Sequence, residues 1–436
     1  MKSRVPSLLG GLIASILLLA TSFYVGRPER PVNSIALPPL QATFRTVQVR
    51  PHHEVLVWTD EDRTVQAVLN KAMADARPVQ RLIYDRAKIM DGRVVEDHPG
   101  YIVFAETFGQ NGEISVTLPR ERIVRIELLN TPAPEVTLRD VRFFREFPDK
   151  QFYKKPPYTL LTEESFFAVE QIVKQQQELY TQFVGWLGTL ITTADRREDI
   201  QLLIFSDADE YAAYVRQRAP DIEGSVGFYN VAQDQLVVLH QRDANWAAEG
   251  RRKIAEIEKQ QRGRLKTERD RQRFAQWKQE NEGRLQTQAV ESTHRAIRHE
   301  GVHQLTFTLG IQSPFQRGRG WVSEGLATFF ETGKPGGAND SRLDELKSSL
   351  TGGQLVPLRL LLAMERCESA RDYAEAWSLT CLLMQPEYRT GFFNYLDELR
   401  RHPAPFSGDP AEELCRFLPF GPEELESRWR AFISTL

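Results

Sequence analysis

The sequence predicts an α+β protein, and three observations carry that reading. Short period-two runs crowd the stretch before residue 130, helical and apolar strand-like segments then share the chain up to about residue 240, and the 436 residues exceed what one hydrophobic core organises. Two folded domains with accessory segments are therefore expected. A hydrophobic fraction of 41%, a charged fraction of 26% and a mean hydropathy of −0.42 describe a globular body and exclude a disordered one. The net charge of −3 gives no reason to expect nucleic acid as a partner.

At the N-terminus Lys2 and Arg4 precede an uncharged run over residues 5–26. Residues 1–26 thus read as a cleavable signal peptide, with Ala20 and Ser22 as small residues for processing, or as a single membrane anchor. Either way the positive flank leaves the rest of the chain outside the cytoplasm, in the cell envelope, periplasmic or secreted. No cysteine stands near the run to carry a lipid. Residues 27–40 are proline-rich and read as a linker.

Residues 41–130 form a small β-rich domain in this reading. A strand is expected over 54–58 and a helix over 63–76, where Val65, Val68, Leu69 and Ala72 fall at helical spacing. Strands over 81–90, 93–96, 101–108, 113–118 and 123–129 are separated by turn signals at Asp91-Gly92, Pro99-Gly100 and Asn111-Gly112. Five short strands with tight turns suggest an SH3-like barrel serving adhesion, docking or spacing. Prolines 132, 134, 148 and 156 mark residues 131–156 as a linker between domains.

The second domain is expected over 157–436. A strand over 158–161, a long helix over 163–187, a buried strand over 200–205, a helix over 210–218 and a hairpin over 227–231 and 235–239 make its first layer. Residues 245–291 alternate in charge with few apolar positions, which reads as a solvated helix or helical hairpin inserted into the domain. A basic surface for anionic lipid or a cell-wall polymer is the lesser alternative. Cys367, Cys381 and Cys415 make no framework: one disulfide with a spare thiol and three buried thiols are both open.

The chemistry concentrates in His299-Glu300-Gly301-Val302-His303, the pattern HExxH. Positions i and i+4 share a helix face, so both imidazoles can address one tetrahedral zinc ion while Glu300 projects beside them. Such an ion acidifies a water, and the adjacent carboxylate takes its proton and later delivers it to a leaving amine. Ala296, Ile297, Val302, Leu305 and Leu309 give this helix a buried face, and Gly310 is a plausible stop. Twenty-one residues after His303 comes Glu324, on a second helix over 321–331. Catalytic zinc usually takes three protein ligands and keeps one position open, which His299, His303 and Glu324 would satisfy.

These residues resemble the gluzincins, metallopeptidases with HExxH on one helix and a glutamate on the next, and in particular the peptidase-MA-like domains of an uncharacterised bacterial family. The resemblance runs over about 157–382 and includes 202–214, 227–239, the HEGVHQL motif, 321–331 and 373–379. It implies Zn2+ as cofactor, His299, His303 and Glu324 as metal ligands, Glu300 as catalyst, and a protein or peptide as substrate. The charged segment before the motif departs from the family's compact pattern. An inactive peptidase-fold envelope scaffold is the alternative from another class, and hydrolysis of a non-peptide bond at the same zinc is a third.

Other candidates carry less. Tyr373 could stabilise an oxyanion or be a core aromatic beside Trp377. Glu331, about two turns beyond Glu324, is too far along to bind the same ion and is expected to face solvent or a neighbour of the ligands. His294 lies off the face of His299 and is expected on the surface, while His52, His53, His98, His240 and His402 have no motif around them.

Overall fold

The computed structural model describes residues 58–436 apart from 77, 86, 109–111, 131, 192–196, 198, 223–224, 241–244, 263–264, 266, 313–318, 338–339 and 403–407. The N-terminal apolar run, the linker after it and most of the strand expected over 54–58 lie outside the described residues. Among those described, no helix is long and apolar enough to cross a membrane.

The chain is mixed α+β with two open sheets. Helix α1 (Asp60–Ala76) leads into β1 (Gln80–Tyr84), β2 (Lys88–Asp97), β3 (Tyr101–Phe108), β4 (Gly112–Pro119) and β5 (Ile123–Leu128), an antiparallel sheet of order β4-β3-β2-β1-β5. Asp91-Gly92 is not the turn it resembled. The chain reverses instead at Asp85, whose φ is 46°, and Gly92 sits inside β2. A Cβ there would lie 2.0 Å from the Ala105 carbonyl oxygen, so close backbone approach is what that glycine serves. Where an SH3-like barrel is expected, the described residues form an open sheet and no closed barrel. β5 pairs with β1, β4 and β5 are the two edges, and Ile126 and Leu128 remain 38% and 85% exposed on the edge strand. Among the described residues Leu82, Ile102, Phe104 and Leu118 form a small buried core there.

Residues 131–156, read as a linker, instead hold α2 (Leu138–Glu146) and β6 (Gln151–Lys155). Their prolines punctuate rather than forbid structure: 132 and 134 precede a capping box of Thr137 and Asp140, and 148 lies between the two elements. β6 pairs with β7 (Tyr158–Thr162), and β8 (Ile200–Phe205), β9 (Gly227–Asn230) and β10 (Gln235–Leu239) complete a second sheet of order β6-β7-β8-β10-β9. β8 runs parallel to β7 and β10, buried on both faces as its apolar run demands, and β9 is an antiparallel edge.

Side chains alternate across this sheet. Phe152, Leu161, Leu203, Phe205, Val237 and Leu239 face one core. There they meet Leu69 and Met73 of α1, Val141 and Phe143 of α2, and Tyr211 and Tyr214 of α4 (Ala208–Arg218). Helix α1 therefore belongs to the second sheet's packing, not to the first unit alone. The opposite face packs with α3 (Phe166–Leu187), α6 (Glu268–Thr308) and the helices after α6 in one core, while α5 (Asn245–Gln261) lies along α6. The helices after α6 are α7 (Gly320–Phe330), α8 (Asp340–Thr351), α9 (Leu358–Ala363), α10 (Ala370–Leu383), α11 (Pro386–Arg401), α12 (Pro410–Cys415) and α13 (Pro422–Ile433). The three cysteines are buried free thiols.

The charged segment forms a helical hairpin of α5 and the first part of α6, tied by Lys278 Nζ to Glu258 Oε2 at 2.7 Å and by buried Ile254 and Leu285. Gly250 leaves room for Leu285, whose Cδ1 would stand 2.7 Å from a Cβ. One point differs from the expectation of a self-contained insertion. α6 runs 41 residues without a break and carries the HExxH motif near its far end.

Candidate metal centre

Local sequence fixes the motif on α6 from three sides. At Gly301 α3 crosses so closely that a Cβ would lie 2.6 Å from Gln176 Oε1 and 3.0 Å from Leu179 Cδ2. Arg298, 4% exposed, donates to the Phe330 carbonyl at 3.2 and 3.0 Å, to that of Thr332 at 2.9 Å and to Gln182 Oε1 at 2.8 Å. Gly310 ends the helix at φ 70°, where the Gly310 amide donates to the Phe307 carbonyl at 3.1 Å and the Ile311 amide to that of Thr306 at 2.8 Å.

His299 and His303 thereby present their rings to α7. His299 Nε2 stands 3.1 Å and His303 Nε2 3.5 Å from the same atom, Glu324 Oε2. Metal–donor bonds of ~2.0–2.1 Å in a tetrahedron put donors about 3.3 Å apart, so this spacing fits a small ion taken by imidazole and carboxylate. His299, Glu300 and His303 offer ligand atoms all within 4.8 Å of one another, and this His/Glu cluster could hold a metal ion. Glu300 is engaged elsewhere: its Oε2 accepts from the Tyr229 amide of β9 at 3.2 Å.

Both histidines are held through their second nitrogen. His303 Nδ1 lies 3.1 Å from Ser323 Oγ, and His299 Nδ1 lies 3.4 Å from Glu331 Oε2. Glu331 is 4% exposed, so the solvent-facing alternative does not hold; Arg342 of α8 grips both its oxygens at 2.9 and 2.8 Å. The Arg342 guanidinium also lies over the Tyr373 ring at 5.5 Å, and that ring stands 6.0 Å from the His299 ring. Tyr373 therefore borders the site while packing against the core.

Charge follows from this geometry. Burial disfavours a charged His299, yet hydrogen bonds to Glu324 and Glu331 outweigh it and raise the imidazole to about 10. Burial likewise works against an ionised Glu324, but His303 and His299 hold its carboxyl well below the usual range. Glu331 is also held low, burial being outweighed by His299 and Arg342. Burial raises Glu300, more than the charges around it and the Tyr229 amide lower it.

Among the remaining histidines, His294 is half-buried with Nδ1 2.7 Å from Gln175 Nε2, not on the surface as expected. His240 is buried with Nδ1 2.9 Å from Glu164 Oε1. His98 and His402 pair with Glu96 and Glu398 at the surface, and His52 and His53 lie outside the described residues. Sequence reasoning missed Arg298, Ser323, Arg342 and Tyr229. Arg298 and Ser323, each just before a candidate ligand, sit where a signal could have been read.

Residues 293–406 match a family described as a protein of unknown function (DUF1570), a span that takes in His299, His303, Glu324 and Tyr373. No curated protein matches the chain.

Proposed function

We propose that the chain is a zinc-dependent peptidase of the gluzincin type, with His299, His303 and Glu324 as metal ligands and Glu300 as general base. The observation that carries this reading is the convergence of two imidazole Nε2 atoms on Glu324 Oε2 at 3.1 and 3.5 Å beside a buried carboxylate. When bound, zinc supplies Lewis acidity toward a water and a carbonyl. Glu300 accepts the water's proton at its carboxylate and returns it to the leaving amine; burial, which raises its proton affinity, suits it to hold a proton between those steps. Tyr373, at the border of the site, is the candidate donor to the oxyanion. The substrate is a protein or peptide, and the apolar N-terminal run over 5–26 supports an activity in the cell envelope or outside the cell, membrane-anchored if the run is retained.

Metal analysis with a peptide-library cleavage assay tests this. Glu300→Gln should retain zinc and lose activity by a factor of about a hundred or more. Tyr373→Phe should retain zinc and lose turnover, whereas Glu324→Gln should lose zinc first. A wild-type chain with neither zinc nor hydrolytic activity would favour the envelope-scaffold reading, and full zinc in Glu324→Gln with none in Glu300→Gln would reverse the two roles.

A further inference from the structure

Asp234 lies in the turn between β9 and β10, 3% exposed and with φ 53°. Aspartate enters that backbone region more readily than most residues, and here its surroundings also hold it there. Four donors do so here. Oδ1 accepts from the Tyr229 hydroxyl at 2.8 Å and the Thr308 hydroxyl at 2.7 Å, while Oδ2 accepts from Arg139 and Arg197, each at 2.9 Å. The Asp234 carbonyl also accepts from Arg139 at 3.0 Å.

Two of those donors matter for the metal centre. Thr308 is the last residue of α6, and Tyr229 is the residue of β9 whose amide donates to Glu300 Oε2 at 3.2 Å. The Tyr229 ring stacks on Phe307 at 5.5 Å and 19°. One side chain therefore touches the helix end through its ring and the buried Asp234 through its hydroxyl, while its own backbone holds the carboxylate two turns earlier on the same helix. β9 is an edge strand, held along only one side by β10, so its placement on α6 depends on these side-chain ties.

We infer that Asp234, acting through Tyr229, is a positioning residue for Glu300: it fixes β9 along α6 so that the Tyr229 amide aims the Glu300 carboxylate. Arg139 and Arg197 hold the Asp234 carboxylate in that orientation. The inference rests on Glu300 being the base, but the geometry it describes exists without the reaction.

Tyr229→Phe, Asp234→Asn and each combined with Glu300→Gln, all in the full-length chain, test it by two readouts. Hydrogen exchange over residues 227–239 should quicken by about tenfold or more in both single variants, with exchange over 296–309 unchanged. Turnover should fall by roughly tenfold with KM and zinc content unchanged, and neither substitution should lower it further in the Glu300→Gln background, since the effect passes through that carboxylate. Unchanged exchange in Tyr229→Phe, or losses that multiply fully with that of Glu300→Gln, would overturn the inference. Should Asp234→Asn fail to fold, Tyr229→Phe removes a single hydroxyl and still decides. A wild-type chain that hydrolyses nothing would remove the peptidase reading, and the exchange comparison would then judge the positioning by itself.

Discussion

Glu331→Gln keeps the side-chain volume and an oxygen able to accept from His299 Nδ1, but removes the charge shared between His299 and Arg342. Two effects of opposite sign follow for zinc binding. Losing a carboxylate behind a ligating histidine typically weakens metal affinity by about 10–100-fold, or ~1.4–2.7 kcal/mol. Against this, His299 raised to about 10 carries a proton at pH 7 that zinc must displace, a handicap on the order of a thousandfold. Removing one of the two carboxylates that hold that proton lowers the imidazole's affinity for it and relaxes the competition. The two effects oppose each other near pH 7, and only the first survives near pH 10. The ratio of the variant's Kd to the wild-type Kd should therefore grow with pH, toward about 10–100-fold at the alkaline end. Chelator-competition titrations at several pH values measure it, and calorimetry in buffers of different ionisation enthalpy should show more proton release at pH 7 from wild type than from the variant. A ratio independent of pH, with equal proton release, would refute the reasoning.

The same raised imidazole makes the metal-free protein alkali-sensitive. Its stabilising contribution is complete below the ordinary histidine value of 6.5 and is lost as pH rises through about 10, so the apoprotein's Tm should fall over that window. Zinc-loaded protein should lack this loss, and scanning calorimetry of both forms compares them. Lys154→Met leaves Asp140, fully buried and ion-paired with Lys154, without its cation, and should cost about 3–5 kcal/mol in denaturant unfolding despite Thr159 donating to Asp140 Oδ1 at 2.6 Å. Gly310→Ala places a Cβ at φ 70° and should cost about 1–2 kcal/mol without altering zinc stoichiometry.

The centre of the site was legible because its information is local. HExxH spacing, the apolar face of α6 and the Gly310 stop lie within fifteen or so residues, and Glu324 follows on the next helix with its own strong pattern. Glu331 was half legible. Seven residues of helix carry it about 10 Å from Glu324 along the axis, too far to share an ion. An imidazole has two faces of chemistry, however, and the His299 ring spans the gap with Nε2 toward Glu324 and Nδ1 toward Glu331. Arg342, Tyr229 and Asp234 reach the site only through tertiary packing, which one sequence does not report. The strands of the second sheet were read correctly where they are continuously apolar, but β6 and α2 were hidden by prolines that cap and separate them. Turn signals that specify hairpins say nothing about which edge the fifth strand joins; it joins β1, and the sheet stays open.

Arg298 gives the long helix a mechanical division. About 45 Å of α6 separates its first residue, Glu268, from Arg298, and for most of that length its companion is α5. An arm of this length multiplies any push at its tip into a torque on the residues at its root, and the next residue after Arg298 is His299. At that root the Arg298 guanidinium donates to the carbonyls of Phe330 and Thr332 and to Gln182, on two different neighbouring segments. The long helix is thus tied to α3 and to the end of α7 at the residue just before His299, between the charged hairpin and the candidate metal site.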